Sequence, residues 1–343
     1  MAASAGVTII GAGLAGWTLA RELRQRAPEL PITLVCADSG AFYSKPMLSN
    51  GHAQKKSADQ LVQRPAEQQA KTLGVDVRAG TRVLVIDRAA HCLETTAGQL
   101  AYGRLVLALG ADAIRLDTPG MQDALSVNDI DDYRRFRAAL SAAGPGARVA
   151  VIGGGLIGSE FANDLILGGY HVDVVDPAPW LLGNLVAQSQ GEALQAALRG
   201  LGAGIHVGDV AQKIERREPS GYHVQLRSGA VLEAEVLLCA VGLRPRTDLA
   251  RAAGLATSRG IHVNEMGQTS DPAIFALGDC AAYASAARPD IAAGAPRPLP
   301  YVMPIMTAAR AIAATLAGQL TPIQFGSMPV RVKTPALPLT VAG

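Results

Sequence analysis

The sequence predicts an α/β protein built from two Rossmann-like, three-layer domains, each organised around a mostly parallel sheet. The main observation is an internal repeat, because VTIIGAGLAGWTLARELRQ (7–25) is matched by VAVIGGGLIGSEFANDLIL (149–167). In each copy a β-branched run leads into a glycine-rich turn and then into apolar residues at helical spacing. A second apolar strand with an acid at or near its end follows each copy, at 32–38 and 171–177. Strand, turn, helix and strand in this order begin a parallel βαβ unit.

Two later strands complete the predicted sheets. RLVLALGA (104–111) and VLLCAVGL (236–243) are continuous apolar runs, as expected of strands that are buried on both faces. Residues 81–87 and 91–96 are predicted to pair across a short turn, and residues 214–235 form the corresponding excursion in the second unit. Further predicted elements are a loop at 285–300, an alanine-rich helix at 301–319 that ends near Gly318, and the start of a strand after it.

Composition excludes several classes of protein. The chain has 343 residues, 49% apolar and 17% charged, which suits the cores of two or three domains and excludes a disordered chain. A net charge of +2 gives no support for nucleic-acid binding. Charged residues interrupt every apolar stretch before the ~20 residues that a membrane span needs, so no membrane insertion is expected. Four cysteines without a CxxC motif predict a cytoplasmic protein, and the scattered histidines predict no metal site.

The glycine-rich turns predict nucleotide binding. In the first turn Gly11 permits the tight turn, Gly13 lets the backbone approach a pyrophosphate, and Gly16 lets helix and strand pack closely. Ala12 and Leu14 complete this loop, and the helix after it offers free N–H groups and the positive end of its dipole. The second turn repeats the pattern with Gly153, Gly155, Leu156, Ile157 and Gly158. One such motif is also compatible with an ordinary glycine turn; two, each with a following acid, favour nucleotide binding.

The acids after the two turns suit ribose recognition. Asp38 and Asp176 lie at the end of the next strand, where a carboxylate can accept hydrogen bonds from ribose hydroxyls. The Asp176 carboxylate also repels a 2′-phosphate and has no Arg near it in sequence, so we expect NADH rather than NADPH. The alternative is that Asp176 only caps a turn before Pro177.

The segment TSDPAIFALGDC (269–280) distinguishes a flavin enzyme from a plain dehydrogenase. A strand that ends in Gly278 and Asp279 puts a carboxylate beside the first nucleotide site, where it can bond the sugar-alcohol chain of a flavin. Alone, Asp279 is explained equally well as a helix N-cap. Its presence together with two nucleotide-binding turns favours the flavin.

The order GAGLAG, LVLALGA, GGGLIG, VGLRPR and ALGDC resembles the FAD-dependent pyridine-nucleotide reductases of the glutathione-reductase-like fold. Within that family, FYSKPMLSNG (42–51), YVMPIMTAARAIAATLAG and VKTPALPL are similar to the reductases that serve rubredoxin. The resemblance covers nearly the whole chain. It implies FAD and NADH as cofactors, rubredoxin or a similar small acidic iron protein as the partner, and a role in hydroxylating alkanes or other hydrocarbons.

The resemblance also implies roles for individual positions. The expected FAD contacts are Gly11, Ala12, Gly13, Leu14, Gly16, Asp38, Lys45, Pro46, Val83, Asp279, Val302 and Lys333. The expected NADH contacts are Gly153, Gly155, Leu156, Ile157, Gly158 and Asp176. Gly110, Gly242 and Gly278, which end predicted strands, complete the cofactor-binding set. Lys45 and Glu160 are the implied catalytic residues, with Glu160 between nicotinamide and flavin.

The chain departs from the family's pattern at two places. Relatives that serve ferredoxins usually have a Lys after LS, where this chain has Asn50, so Lys45 is expected to be the only cation near the flavin ring and to pair with Glu160. Family members continue with an α+β interface domain, which implies that residues 323–343 are its incomplete beginning. Residues 1–112 and 245–322 are then the FAD-binding domain, and residues 113–244 the NAD-binding domain.

The cysteine pattern bears on the route of the electrons. Disulfide reductases of this fold carry a CxxxxC or CxxC motif beside the flavin, and this chain has neither, so electrons are expected to pass directly to an outside carrier. Four basic residues are expected either to form a rim that steers an acidic partner or to be merely solvated charge: Arg244, Arg246, Arg331 and Lys333.

Three alternative functions stay open: an NADH-dependent ferredoxin reductase of an oxygenase or cytochrome system, an NADH oxidase, and a catalytically idle flavin- or NADH-binding module.

Overall fold

The computed structural model describes residues 6–218, 220–284 and 295–342, so most of the predicted loop 285–300 lies outside the described residues. The strands in chain order are β1 (Val7–Ile10), β2 (Ile32–Val35), β3 (Phe42–Tyr43), β4 (Val62–Arg64), β5 (Asp76–Arg78), β6 (Val83–Asp87), β7 (Cys92–Thr95), β8 (Gly98–Ala101), β9 (Arg104–Leu107), β10 (Ala111–Ala113), β11 (Arg148–Ile152), β12 (His171–Asp176), β13 (Gly204–Val207), β14 (Ala211–Arg216), β15 (Tyr222–Leu226), β16 (Val231–Ala234), β17 (Val236–Cys239), β18 (Leu243–Pro245), β19 (Ile261–Val263), β20 (Ile274–Ala276), β21 (Ala281–Tyr283), β22 (Arg297–Pro298), β23 (Pro329–Val332) and β24 (Leu339–Ala342). The helices are α1 (Leu14–Arg26), α2 (Ala58–Leu61), α3 (Ala66–Leu73), α4 (Ile130–Ala143), α5 (Leu156–Leu167), α6 (Gln188–Gly200), α7 (Asp248–Ala252) and α8 (Val302–Leu316), with 3₁₀ helices at Lys45–Asn50, Met121–Asp123 and Gly278–Cys280.

The first large sheet is parallel and has the strand order β20-β9-β1-β2-β5. Its centre is β1, where Val7 lies opposite Ile32 on one side and Arg104 on the other. α1 and α8 pack against each other and share a core with this sheet, in which Trp17 and Leu105 are almost wholly buried. The parallel unit predicted from the first glycine-rich turn is confirmed.

The second large sheet is also parallel, with the order β13-β12-β11-β17. Its central strand β11 pairs with β12 and β17, just as β1 pairs with β2 and β9. The rings of Phe136 on α4 and Phe161 on α5 meet edge to face, 5.8 Å apart, in the core of this unit. The predicted repeat is therefore a structural repeat, and the α/β fold class is confirmed.

Small antiparallel sheets connect and flank these two units. The predicted excursions form the sheets β6-β7-β8 and β14-β15-β16. β10 pairs with β18, with Ala111 opposite Pro245, so the segment that leaves the first unit runs beside the segment that returns to it. Because the two crossings pair with each other, they fix how the carboxyl ends of the two large sheets meet.

The C-terminal residues form more structure than the sequence predicted. They were expected only to start a strand, but β23 and β24 pair as a hairpin with Pro329 opposite Ala342. Val332 and Val341 belong to the core of the second unit, which explains why this hairpin lies on α5. The helix before it follows the prediction, with Gly318 at a φ of +96° just beyond its last residue.

Candidate functional site

A cavity of about 1840 Å³ lies where the carboxyl ends of the two large sheets meet. Three helices begin at its wall, α1 at Leu14, α5 at Leu156 and α8 at Val302, and no side chain caps the first turn of any of them. The N–H groups at the start of these helices are therefore free for a ligand, and each helix dipole directs its positive end at the cavity. This arrangement favours a ligand with anionic groups at more than one place.

The first glycine-rich turn has the shape that a pyrophosphate requires. Gly11 has a φ of +113°, and a Cβ there would lie 2.2 Å from the carbonyl oxygen of Ala108. A Cβ on Gly16 would lie 1.9 Å from the carbonyl oxygen of Gly11, so the helix sits directly on the turn. Gly13, in contrast, has open space within 4 Å of its Cβ position and lines the cavity. The outer two glycines are therefore required by packing, and the middle one leaves room for a ligand.

The second turn has the same geometry. Gly153 has a φ of +109° and packs on Ala240, a Cβ on Gly158 would lie 1.8 Å from the carbonyl oxygen of Gly153, and Gly155 is open toward the cavity. Each glycine-rich turn and the helix terminus after it form a concave site, here called a cradle, and both cradles open on the same cavity. The residues present fit two dinucleotides whose reactive ends meet between the cradles.

The two ribose acids are placed differently from each other. Asp176 ends β12 as predicted, and its carboxylate accepts from the backbone N–H of Gly154 at 2.5 Å and of Ala178 at 2.7 Å. It therefore braces the glycine-rich turn and also caps a turn that spans Pro177, while it lines the cavity; the alternative interpretation placed the capped turn before Pro177. β2 ends at Val35, so Asp38 lies beyond its strand in the following loop, exposed at the cavity wall.

Lys45 lies at the start of the 3₁₀ helix Lys45–Asn50 and does not contact Glu160. Its Nζ donates to Oδ1 of Asn128 at 2.6 Å and lies 4.0 Å from Oδ2 of Asp279. Burial lowers the pKa of Lys45, and the nearby Asp279 carboxylate opposes that change. The predicted pair of Lys45 with Glu160 is wrong, because the opposite end of this 3₁₀ helix, at Ser49, faces Glu160.

Glu160 is 1% exposed and accepts hydrogen bonds from two distant segments. Its Oε2 accepts from Oγ of Ser49 at 2.6 Å and forms a close ion pair with Nζ of Lys333. Its Oε1 accepts from the backbone N–H of Lys333 at 2.9 Å. Lys45 is therefore not the only cation in this region, because the C-terminal hairpin brings Lys333 to the same end of the cavity.

The remaining predicted residues divide into two groups. Those that line the cavity are Ala12, Leu14, Pro46, Val83, Gly110, Ile157, Gly242, Asp279 and Val302. Gly16, Gly158 and Gly278 lie behind that surface and allow close packing; a Cβ on Gly278 would lie 2.9 Å from the Cβ of Ala15. The structure therefore assigns these three glycines to the support of the cavity wall.

Sequence reasoning missed Ser49 and Asn128. Ser49 is adjacent to Asn50 and had no pattern of its own, and Asn128 precedes the N-cap residue of α4, where a polar side chain is ordinary. Asn128 accepts from Lys45 and donates its Nδ2 to the carbonyl oxygen of Ala111 at 2.8 Å. Only the fold brings these residues to the two predicted catalytic side chains.

The chain's four cysteines are all unpaired, and none lies with another in a reactive pair. Cys36 lines the cavity, and burial raises the pKa of its thiol to about 12. Cys280 is fully buried, and burial likewise raises the pKa of its thiol to about 12. Both thiols are therefore protonated near neutral pH and poorly nucleophilic.

This combination of cradles, helix termini and charged groups is shared with a known protein family. The profile described as "Pyridine nucleotide-disulphide oxidoreductase" matches residues 5–313. The chain belongs to this family. Its members use FAD and NAD(H), so the predicted family and cofactors are confirmed.

Individual relatives agree with this family over almost the whole chain. Rubredoxin-NAD(+) reductase of Alcanivorax borkumensis is 42% identical over 98% of this chain and 85% of the relative. The crystal structure of a ferredoxin reductase from Rhodopseudomonas palustris matches 95% of this chain and 79% of its own, with a TM-score of 0.86 and 32% identity. The covalent putidaredoxin reductase–putidaredoxin complex matches 98% of this chain and 81% of its own, with a TM-score of 0.88 and 29% identity.

The surroundings of the cavity carry two exposed arginines. Of the four residues in the predicted basic rim, Arg246 is paired with Asp112 and Lys333 with Glu160, whereas Arg244 and Arg331 are exposed. Within the described ranges, no group of three or more His, Cys, Asp or Glu side chains is arranged to hold a metal ion. Among those same residues, no helix has the length and apolar character needed to cross a membrane.

Proposed function

We propose that this protein is an NADH-dependent flavoprotein reductase that supplies single electrons to rubredoxin or a similar small acidic iron protein, for the hydroxylation of alkanes or other hydrocarbons. The observation that carries the proposal is the pair of dinucleotide cradles on one cavity, with Lys45, Glu160 and Lys333 between them. The 42% identity to a Rubredoxin-NAD(+) reductase supports the choice of acceptor. Bound FAD would supply the redox chemistry, which is the acceptance of a hydride from NADH and the release of its two electrons one at a time.

In this proposal the first cradle holds FAD. The first turn of α1 and the open side of Gly13 bind the pyrophosphate, because free N–H groups and a positive dipole end favour an anion there. Asp38 accepts from the ribose and Asp279 from the sugar-alcohol chain, while the backbone at Val302 meets the pyrimidine side at the start of α8. The other FAD contacts are Ala12, Leu14, Pro46, Val83 and Gly110.

The second cradle holds NADH. Gly155 and the first turn of α5 bind its pyrophosphate, and Leu156, Ile157 and Gly242 line the path toward the flavin. Asp176 accepts from the ribose hydroxyls of NADH, and its negative charge disfavours the 2′-phosphate of NADPH.

The charged residues between the cradles set the electrostatic potential at the flavin. Lys45 and Lys333 place positive charge near the flavin ring, and this charge stabilises the anionic reduced flavin in a region shielded from water. Glu160 holds Lys333 by two contacts and so fixes the position of that charge. Because its four cysteines are unpaired, this chain offers no disulfide relay between the proposed flavin site and a protein partner.

The first experiment is the visible spectrum of the purified protein before and after anaerobic addition of NADH. We expect a yellow protein that bleaches with NADH and far less with NADPH. A colourless protein that does not take up FAD would refute the proposal. A yellow protein that does not bleach would identify an idle flavin-binding module, and fast turnover in air without a protein acceptor would identify an NADH oxidase.

The second experiment identifies the acceptor. Rubredoxin and a ferredoxin are offered in turn to the NADH-reduced protein, since the R. palustris structure is that of a ferredoxin reductase and the alternative acceptor therefore has support. We expect rubredoxin to be reduced faster. If Arg244 and Arg331 steer an acidic partner, this rate falls as salt is added, and a rate independent of salt would exclude steering.

The division of the chain into domains and its cellular location also belong to this proposal. The FAD-binding domain comprises residues 1–112 and 245–322 and the NAD-binding domain residues 113–244, which is supported by the strands that each large sheet contains. Residues 323–343 are proposed as the beginning of an interface domain. A cytoplasmic location is supported by the sparse, unpaired cysteines.

A further inference from the structure

We propose that a buried polar edge of α5, formed by Glu160, Asn163 and Asp164, positions the segment that follows Lys45 and the segment that carries Lys333, and that Asn163 and Asp164 are positioning residues. Glu160 is the member of this edge that meets the cavity directly. The proposal rests on the proposed function, because it assigns a purpose to Lys45 and Lys333 beside the flavin.

The three residues lie on one face of α5, since side chains three and four positions apart are neighbours on a helix. Their exposed fractions are 1%, 0% and 1%. Buried polar groups are costly unless they form hydrogen bonds, and the face of a helix that packs on a sheet is normally apolar. These three side chains therefore need partners, and each accepts hydrogen bonds from residues outside α5.

The first segment on this edge is residues 49–53, which continues directly from the 3₁₀ helix that begins at Lys45. Ser49 donates to Glu160, and the backbone N–H groups of His52 and Ala53 donate to the two oxygens of Asp164 at 3.0 and 2.7 Å. These contacts hold the segment along two successive turns of α5.

Packing reinforces this placement at both ends. A Cβ on Gly168 would lie 2.9 Å from Nδ1 of His52, so the end of α5 leaves room only for glycine beneath the imidazole. A Cβ on Gly51 would lie 2.1 Å from the hydroxyl oxygen of Tyr133 on α4. The segment is therefore enclosed between α5 and α4, and it cannot shift along α5 without a clash.

The second segment is residues 333–336, at the turn of the C-terminal hairpin. Glu160 accepts the backbone N–H of Lys333, and Oδ1 of Asn163 accepts the backbone N–H of Ala336 at 3.0 Å. Oγ1 of Thr334 donates to the carbonyl oxygen of Leu337 at 2.7 Å and closes the turn. Asn163 therefore fixes where this turn lies along α5, and with it the position of the Lys333 ammonium group.

Asp164 serves one segment and Asn163 the other, which makes the proposal testable. Burial raises the pKa of Asp164, although the backbone N–H groups that donate to its carboxylate act in the opposite direction. Among the described residues the Asp164 carboxylate has no ion-pair partner. Its role is therefore to accept two backbone N–H groups. Asp164→Asn keeps its size but removes one acceptor oxygen, and Asn163→Ala removes the acceptor for Ala336.

The experiment measures hydrogen–deuterium exchange of the purified protein, with and without FAD. We expect Asp164→Asn to speed exchange in residues 52–53 by roughly tenfold and to leave residues 333–337 unchanged, and Asn163→Ala to do the reverse. Gly168→Ala disturbs the first segment without touching the polar edge, so it should reproduce the Asp164→Asn pattern. Ser159→Ala is the matched control, because Ser159 is buried on α5 but donates only to Gly154.

The midpoint potential of bound FAD supplies a readout that general loosening would not move. We expect it to become more negative in Asn163→Ala, by about 30 mV if the ratio of reduced to oxidised flavin changes tenfold, and to be unchanged in Ser159→Ala. Equal exchange effects in both segments, or no effect in either, would overturn the inference. A wild-type protein that binds no FAD would instead refute the proposed function, and the exchange pattern would still test the polar edge.

Discussion

The ion pair of Glu160 with Lys333 allows a quantitative test of how the site is built. The perturbation is a double-mutant cycle of Glu160→Gln, Lys333→Met and the double variant. Each single change leaves the other group without its charge partner, whereas the double variant leaves two neutral groups. Glu160 is 1% exposed, and the side chain of Lys333 is 24% exposed.

The expected magnitude follows from this burial. Breaking a buried ion pair on one side costs about 3–5 kcal/mol, because a charge is left without compensation. Lys333→Met leaves the almost fully buried Glu160 carboxylate with only Ser49 and a backbone N–H, so we expect a loss of about 3 kcal/mol. Glu160→Gln leaves Lys333 free to turn toward the water of the cavity, so we expect about 2 kcal/mol. The double variant should lose about 2–3 kcal/mol less than the sum of the single losses.

The assay is urea-induced unfolding of the purified protein, with each variant compared with the wild type. Lys213→Met is the control, because the side chains of Lys213 and Glu215 are 49% and 57% exposed and their ion pair should contribute less than about 1 kcal/mol. A loss in Lys333→Met no larger than that in Lys213→Met would refute this reasoning. Strict additivity of the two single variants would refute it as well, because the structure places both groups in one contact.

Three further predictions test other parts of the site. Gly16→Ala should abolish FAD binding or folding because its Cβ would lie 1.9 Å from a carbonyl oxygen, whereas Gly13→Ala should fold and only weaken retention of FAD, as measured by flavin content and circular dichroism. Asp176→Ser should raise the preference for NADPH over NADH by about tenfold in kcat/KM, since a carboxylate that repels a 2′-phosphate is removed; an unchanged ratio would contradict the assignment. Burial lowers the pKa of His52 to about 4 from 6.5, so the folded chain resists its protonation. The neutral imidazole therefore contributes stability that is complete above pH 6.5 and is lost as the pH falls to about 4. The loss should be about 1–2 kcal/mol, less than the full shift implies, because the ring is partly exposed. In urea unfolding a His52→Phe variant should not show this loss, and equal pH profiles of the two proteins would contradict the prediction.

Most of the fold could be predicted from the sequence because its signals are local. The strand, glycine-rich turn and helix of each unit leave their mark within a few residues, as in the positive φ of Gly11 and Gly153. The C-terminal hairpin was harder to predict, because Val332 and Val341 are recognisable as core residues only once α5 is in place to receive them.

The partners within the site could not be predicted from the sequence. Lys45 was expected to pair with Glu160, yet it contacts Asn128, which is far from it along the chain. The choice depends on which end of a 3₁₀ helix faces α5, and that orientation is set by tertiary contacts such as those of Asp164 with the following segment. Residue types and motif spacing located the charged groups, but the pairing among them needed the fold.

Glu160 is neutralised although position 50, next to its partner Ser49, is an asparagine. A buried carboxylate requires a cation or several donors, and position 50 follows Ser49, whose hydroxyl already bonds that carboxylate. The cation is Lys333 on the C-terminal hairpin, and the backbone N–H of Lys333 donates to the same Glu160 side chain. The charge of Glu160 is therefore compensated by the C-terminal hairpin. Because Asn163 and Glu160 anchor that segment to α5, the electrostatics of the cavity depend on how the C-terminal hairpin docks.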